Sequence, residues 1–187
     1  MATEKEAVFD YDEWVYVKPF AKSWKSKIKK RKHSDEKQYE FGRFIVNYII
    51  YAALVNVIKP RDLRTRVDCA YCTKVVAYYI IESPTNVGHF IKSLTTPARK
   101  LGKAIKNNNF SVKSSKGVVP GLETKWKQGG DEVKLLALLQ SLYYLRCNLF
   151  HSNKEYDDYQ VELLNPTNEC LKNLNRAIHQ MFTKQES

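Results

Sequence analysis

Residues 131–151 read DEVKLLALLQSLYYLRCNLFH, and the fold follows from this stretch. Leu135, Leu138, Leu139, Leu142, Leu145 and Leu149 recur at spacings of three and four, which puts them on one face of an α-helix and asks for a core to bury it. The seam carries one misfit. Arg146 lies four residues after Leu142 and seven after Leu139, on the same face. A guanidinium on a leucine stripe is costly unless something receives it.

Working outward, the same periodicity recurs on both sides. From Asp35, with Ser34 placed as N-cap, Phe41, Phe44, Ile45, Tyr48, Ile49, Ala52, Leu54 and Val55 predict a helix that Pro60 closes. Leu63, Val67, Tyr71, Val75, Tyr78, Tyr79 and Ile81 predict a second over 61–81, ended by Ser83-Pro84. Two shorter helices are expected over Val87–Leu94 and Pro97–Lys106, the second with proline at its first position. A last helix is expected over Asp157–Phe182, with Pro166 as a point where it can break. Asn107–Gly130 is polar, basic and glycine-rich, with a small hairpin around Ser114-Ser-Lys-Gly117, and is expected to be a mobile loop facing a substrate. Residues 1–33 are read as an irregular basic appendage, in which the alternation Trp14, Tyr16 against Val15, Val17 suggests at most a short strand. The expected architecture is all-α, an up-and-down bundle of about four to five core helices over 34–187, with an irregular N-terminal extension and a long basic loop.

Composition agrees with one folded domain. Among 187 residues, 43% are hydrophobic and 12% aromatic, with only 7 Gly and 6 Pro, which excludes collagenous, mucin-like and wholly disordered chains. The longest apolar run, Phe44–Ile58, falls short of the roughly 20 residues that cross a bilayer, so no span and no membrane partner are expected. Met1-Ala-Thr-Glu-Lys-Glu6 lacks the basic-then-apolar order of a secretory leader, and a cytoplasmic location is expected. Cys69, Cys72, Cys147 and Cys170 are read as free thiols. Cys69-Ala-Tyr-Cys72 has the spacing of half a zinc site without a second half, so neither metal nor cofactor is expected.

The formal net charge is +11, which favours polyanions. The charge is concentrated: Lys18–Lys32 carries eight basic residues and no acid, and Lys92–Lys127 carries nine against Glu123 alone. Lys25, Lys29, Lys30, Arg31, Lys103, Lys106, Lys113 and Lys116 are the candidates for nucleic-acid contact. Trp24, Phe110 and Trp126 lie inside these runs, as stacking platforms or as core anchors. His33, His89 and His179 have no partner spacing and are read as solvent or packing residues.

The last turn of the leucine helix holds the candidate chemistry. At about 100° per residue, position 151 lies about 140° round the helix from position 146, whereas 148 and 151 share a flank. One regular helix therefore does not aim Arg146 and His151 at a common point. Two copies crossing about a two-fold axis would gather Arg146, Asn148 and His151 of both chains in one cleft, so a homodimer is expected.

Arg146-Cys-Asn-Leu-Phe-His151 resembles the Arg-x4-His signature of the HEPN superfamily, of the Apea-like type, and Arg43–Asn56 is similar to the first core helix of the same proteins. The resemblance covers residues 35–182. It implies a helical bundle and a metal-independent endoribonuclease, in a prokaryotic defence or toxin setting where an antitoxin or regulatory protein restrains it. It further implies the roles. His151 would act as base or acid on the 2′-hydroxyl and the leaving 5′-oxygen. Arg146 would hold the scissile phosphate and its transition state. Asn148 would orient His151 or bond the phosphate. The chain departs from the family pattern at Cys147, where a polar residue often follows the arginine, at Ser152, where glycine is common, and at Asn153, where nucleotidylated toxins carry tyrosine. The alternative is a non-catalytic helical module that binds nucleic acid or protein, with Arg146 paired to Asp68 or Glu82 and His151 capping its helix.

Overall fold

Asp10 starts the first helix. Its carboxylate accepts a hydrogen bond from the Glu13 backbone N–H at 3.1 Å, and its own N–H donates to the Val57 carbonyl at 2.8 Å. One residue thus caps a helix and fixes it to another. The computed structural model describes residues 9–29, 36–58, 71–83, 87–107, 113–114, 117–118, 121–151 and 158–185.

The helices among them are α1 (Tyr11–Lys29), α2 (Glu36–Ile58), α3 (Val76–Glu82), α4 (Val87–Asn107), α5 (Leu122–Gln128), α6 (Asp131–His151) and α7 (Asp158–Gln185). A π-helical turn, Tyr71–Val75, leads into α3. The fold is an all-α bundle, as the periodicity predicts. The long helices pack in sequence around one core: α1 on α2, α2 on α7, α7 on α4 and α4 on α6, with α5, α3 and the π turn packed against α6. Leu135, Leu138, Leu139, Leu142 and Leu145 of the quoted seam are all buried.

The N-terminal expectation is corrected. Tyr11–Lys29 is neither irregular nor a strand, and α1 belongs to the core. Trp14, Val17 and Ala21 recur at helical spacing and are buried, and the Trp14 ring stands edge-on to Phe182 at 5.3 Å and to His179 at 5.0 Å. Burying a tryptophan outweighs the cost of Pro19 inside the helix, where the carbonyl left without a donor is that of exposed Val15.

Two expected proline breaks are also absent. The helices expected over 87–94 and 97–106 are one helix, α4, with Pro97 buried inside it. Pro97 has no N–H to offer the Ser93 carbonyl, and the Asn173 side chain of α7 supplies that donor at 3.2 Å. Likewise α7 runs unbroken through Pro166. Of the helix expected over 61–81 only 71 onward is described, and Ser34, Asp35 and Pro60 lie outside the described residues.

The expected basic loop contains a helix. Lys113 pairs with Val118 and Ser114 with Gly117 in the antiparallel hairpin foreseen there, but α5 follows, and Leu122 and Trp126 bury themselves one turn apart. Trp126 is therefore a core anchor and not a base-stacking platform. Gly102 lets α5 approach α4: a Cβ there would lie 3.0 Å from the Glu123 backbone nitrogen. Gly102→Ala is accordingly expected to lower the melting temperature, although alanine favours a helix by about 1 kcal/mol. A raised melting temperature would show that α5 yields at no cost.

The α2–α7 contact carries a polar network. Glu40, 4% exposed, accepts from Arg43 at 2.7 Å and from the Asn168 side chain at 2.7 Å. Arg43 also donates to Glu169 at 2.9 Å, Asn47 to Asn168 at 3.2 Å, and Asn175 to the Asn47 carbonyl at 2.8 Å. Burial opposes the Arg43 charge, but the hydrogen bonds to Glu40 and Glu169 outweigh it and raise its pKa. Such bonds have direction, so they fix the register of α2 against α7 where apolar packing would allow sliding.

By length and composition, Tyr39–Ile58 of α2 could cross a membrane, with a mean hydropathy of 1.6, and half of that window is buried inside the protein. The sequence expectation counted only Phe44–Ile58; the helix adds the residues before it. In this fold α2 is the central core helix.

Candidate functional site

Arg146 is half-buried near the C-terminal end of α6. Its guanidinium lies 6.0 Å from the centre of the Tyr48 ring on α2, and Nη1 is 3.9 Å from the Cys147 sulfur. The misfit in the seam thus has a receiver: an aromatic face takes a cation at lower cost than an aliphatic one. Tyr48 is 6% exposed, and among the described residues its hydroxyl has no hydrogen-bond partner. Burial pushes its phenol pKa far up, the Cys72 and Cys147 thiols add to this, and Arg146 opposes it. Tyr51 lies beside it, ring centres 5.9 Å apart, with its hydroxyl donating to the Cys72 carbonyl at 2.6 Å. A cation, an uncommitted phenol and two thiols therefore meet where α6 reaches α2 and the π turn.

The helix is continuous through His151. Positions 146 and 151 thus remain about 140° apart round α6, with no unwinding to bring them together. The side chains of Asn148 and His151 lie outside the described residues. So does Asp68, one of the acids considered as a partner for Arg146, while Glu82 ends α3 exposed to solvent.

The basic candidates divide. Lys103 and Lys106 are exposed on α4 and share a neighbour, Glu123 of α5. Glu123 accepts from Lys127 at 2.8 Å, and this bond first, then the charges of Lys127, Lys106 and Lys103, hold its carboxyl below the usual range. Lys25 and Lys29 lie on α1 and Lys113 on β1 of the hairpin (Lys113–Ser114), with side chains outside the described residues, as are Lys30, Arg31 and Lys116 altogether. Lys92 and Arg99, part of the same basic run but not among the named candidates, are exposed on the same helix.

Two grooves open between α4 and α7, of about 680 Å³ and about 420 Å³. The first is bordered by Lys100, Lys103 and Glu169, the second by His89, Arg176 and Lys184, and both by Asn173. Neither is lined by Arg146. Cys72, Cys147 and Cys170 are free thiols, and burial raises that of Cys170 above its usual range. Among the described residues no three His, Cys, Asp or Glu side chains gather to hold a metal.

Comparison of the chain with protein-family models, curated proteins and solved structures finds no match. The chain's own residues therefore carry the functional reading.

Tyr48→Phe separates packing from function. Deleting a buried hydroxyl that has no hydrogen-bond partner among the described residues is expected to leave the melting temperature unchanged or slightly raised. A drop worth about 1 kcal/mol or more would show that the hydroxyl is bonded.

Proposed function

We propose that this chain is a metal-independent endoribonuclease of the HEPN type that works as a homodimer. The observation that supports this best is Arg146, a cation set into the leucine face of an unbroken helix five residues before His151, half-buried and backed by the Tyr48 ring. In this reading Arg146 binds the scissile phosphate and the charge that builds on it as the 2′-oxygen attacks. His151 of one copy removes the 2′-hydroxyl proton, and His151 of the other protonates the departing 5′-oxygen. The products are a 2′,3′-cyclic phosphate and a 5′-hydroxyl. Asn148 holds the imidazole or the phosphate.

The helical register favours the dimer, since positions 146 and 151 of one α6 face different directions. Specific activity is therefore expected to fall on dilution below the dimer dissociation constant, in step with the monomer fraction seen by sedimentation. Specific activity constant across that transition would overturn the two-chain site. The cellular setting that fits is a cytoplasmic defence or toxin system with a restraining partner, by family analogy.

One observation favours a second reading: the exposed cations of α4 suit nucleic-acid binding without catalysis. In that case Arg146 and His151 are structural, and their removal lowers stability while leaving RNA binding intact.

A further inference from the structure

Helix α4 contains Lys92, Arg99, Lys100, Lys103 and Lys106 and not one Asp or Glu. All five cations are exposed, while Ile91, Leu94, Pro97, Ala98 and Leu101 face the core. At about 100° and 1.5 Å per residue, Lys92, Arg99, Lys103 and Lys106 fall within an arc of about 60° and form a row about 21 Å long. Lys100 sits to one side of the row, on the wall of the larger groove. Among the described residues none of the four row cations is in an ion pair; the neighbouring acid, Glu123, is bonded to Lys127. Like charges this close repel one another and lower stability unless a counter-charge arrives.

We propose that the row Lys92–Arg99–Lys103–Lys106 is a track for the phosphate backbone of a single-stranded nucleic acid. It deepens the nuclease reading and rests on it only for the identity of the strand as RNA. A straight row of cations on a convex helix matches a flexible chain of evenly repeated negative charge. The deep, narrow major groove of an A-form duplex does not admit such a helix. A membrane surface fits poorly as well: the apolar side of α4 is committed to the core, and the exposed large apolar side chains among the described residues, Tyr11, Val15, Tyr16, Tyr78 and Val133, all lie on other elements. Lys127, exposed on α5, extends the positive surface, and Arg176 and Lys184 border the smaller groove beside it.

The test uses a fluorescent single strand of 2′-deoxynucleotides, which lacks the 2′-hydroxyl and so cannot be cut by the proposed chemistry. Its anisotropy is followed with the wild type, with the quadruple variant Lys92→Gln, Arg99→Gln, Lys103→Gln, Lys106→Gln, and with a Lys74→Gln, Lys172→Gln control. Glutamine keeps the helix propensity of the basic residues, and circular dichroism checks the fold. Four lost phosphate contacts should reduce the slope of log affinity against log salt by about 3, so that between 50 and 200 mM salt the wild type weakens about 50-fold more than the variant. Glu123→Gln should tighten binding, and the control should bind as the wild type does. An unchanged slope and affinity in the quadruple variant overturns the track. So does displacement of the strand by polyglutamate at equal charge, which would assign the row to acidic polypeptides. Loss of strand binding by the variant, with no RNA cleavage by the wild type, would keep the track and reject the nuclease; cleavage with unchanged strand binding would do the reverse.

Discussion

Replacing Trp14 by alanine is expected to destabilise the protein by about 3–5 kcal/mol, read as a lower urea midpoint for the whole bundle. Trp14 is 0% exposed and stands edge-on to both Phe182 and His179 of α7. Phe182 is itself contacted by Phe9 at 5.2 Å and by Tyr79 at 5.9 Å. Removing the indole opens a cavity where α1 and α7 meet. Trp14→Phe should recover part of the loss by keeping a ring against Phe182. A midpoint unchanged in Trp14→Ala would mean that α1 stands off the bundle and that the packing described for residues 9–29 is wrong.

Arg146→Ala and His151→Ala are each expected to lower RNA cleavage by about 10²–10⁴-fold, the range for losing a general acid–base or a transition-state cation. Their stability signature should be small. Arg146 is half-buried with its guanidinium 6.0 Å from the centre of the Tyr48 ring, so its truncation costs packing. The informative partner variant is Arg146→Lys. Lysine preserves the charge and most of the stem but lacks the planar fork, so it should restore stability without restoring the rate. Equal recovery of both would assign Arg146 to packing alone.

What the sequence discloses follows from the range over which its signals act. The α6 seam is local and strong, and six leucines at helical spacing left no other reading. The misfit of Arg146 was equally visible, because burial of a charge can be inferred from the seam itself. The N-terminal helix was misread since Trp14–Val17 alternates over a short window, while the set that matters, Trp14, Val17 and Ala21, extends past Pro19. Pro97 and Pro166 were read by a local rule that holds for an isolated helix. Asn173, distant in sequence, replaces the lost donor at Ser93 and overrides that rule. Helix α5 is too short for periodicity to register, having only Leu122 and Trp126 to mark its inner face. The network joining Glu40 and Arg43 to Asn168 and Glu169 spans residues more than a hundred positions apart, and no local pattern announces it. Tyr48 was legible only as one periodic position of the helix before Pro60; its place beside Arg146 depends on how α2 crosses α6.

The most direct measurement is incubation of the purified wild type with mixed RNA in excess EDTA, followed by chemical analysis of the cut ends. Metal-free attack by the 2′-hydroxyl predicts cleavage that survives chelation and leaves 2′,3′-cyclic phosphate and 5′-hydroxyl termini, with His151→Ala inactive. Cleavage by His151→Ala at the wild-type rate, or 5′-phosphate termini that vanish with EDTA, would contradict it.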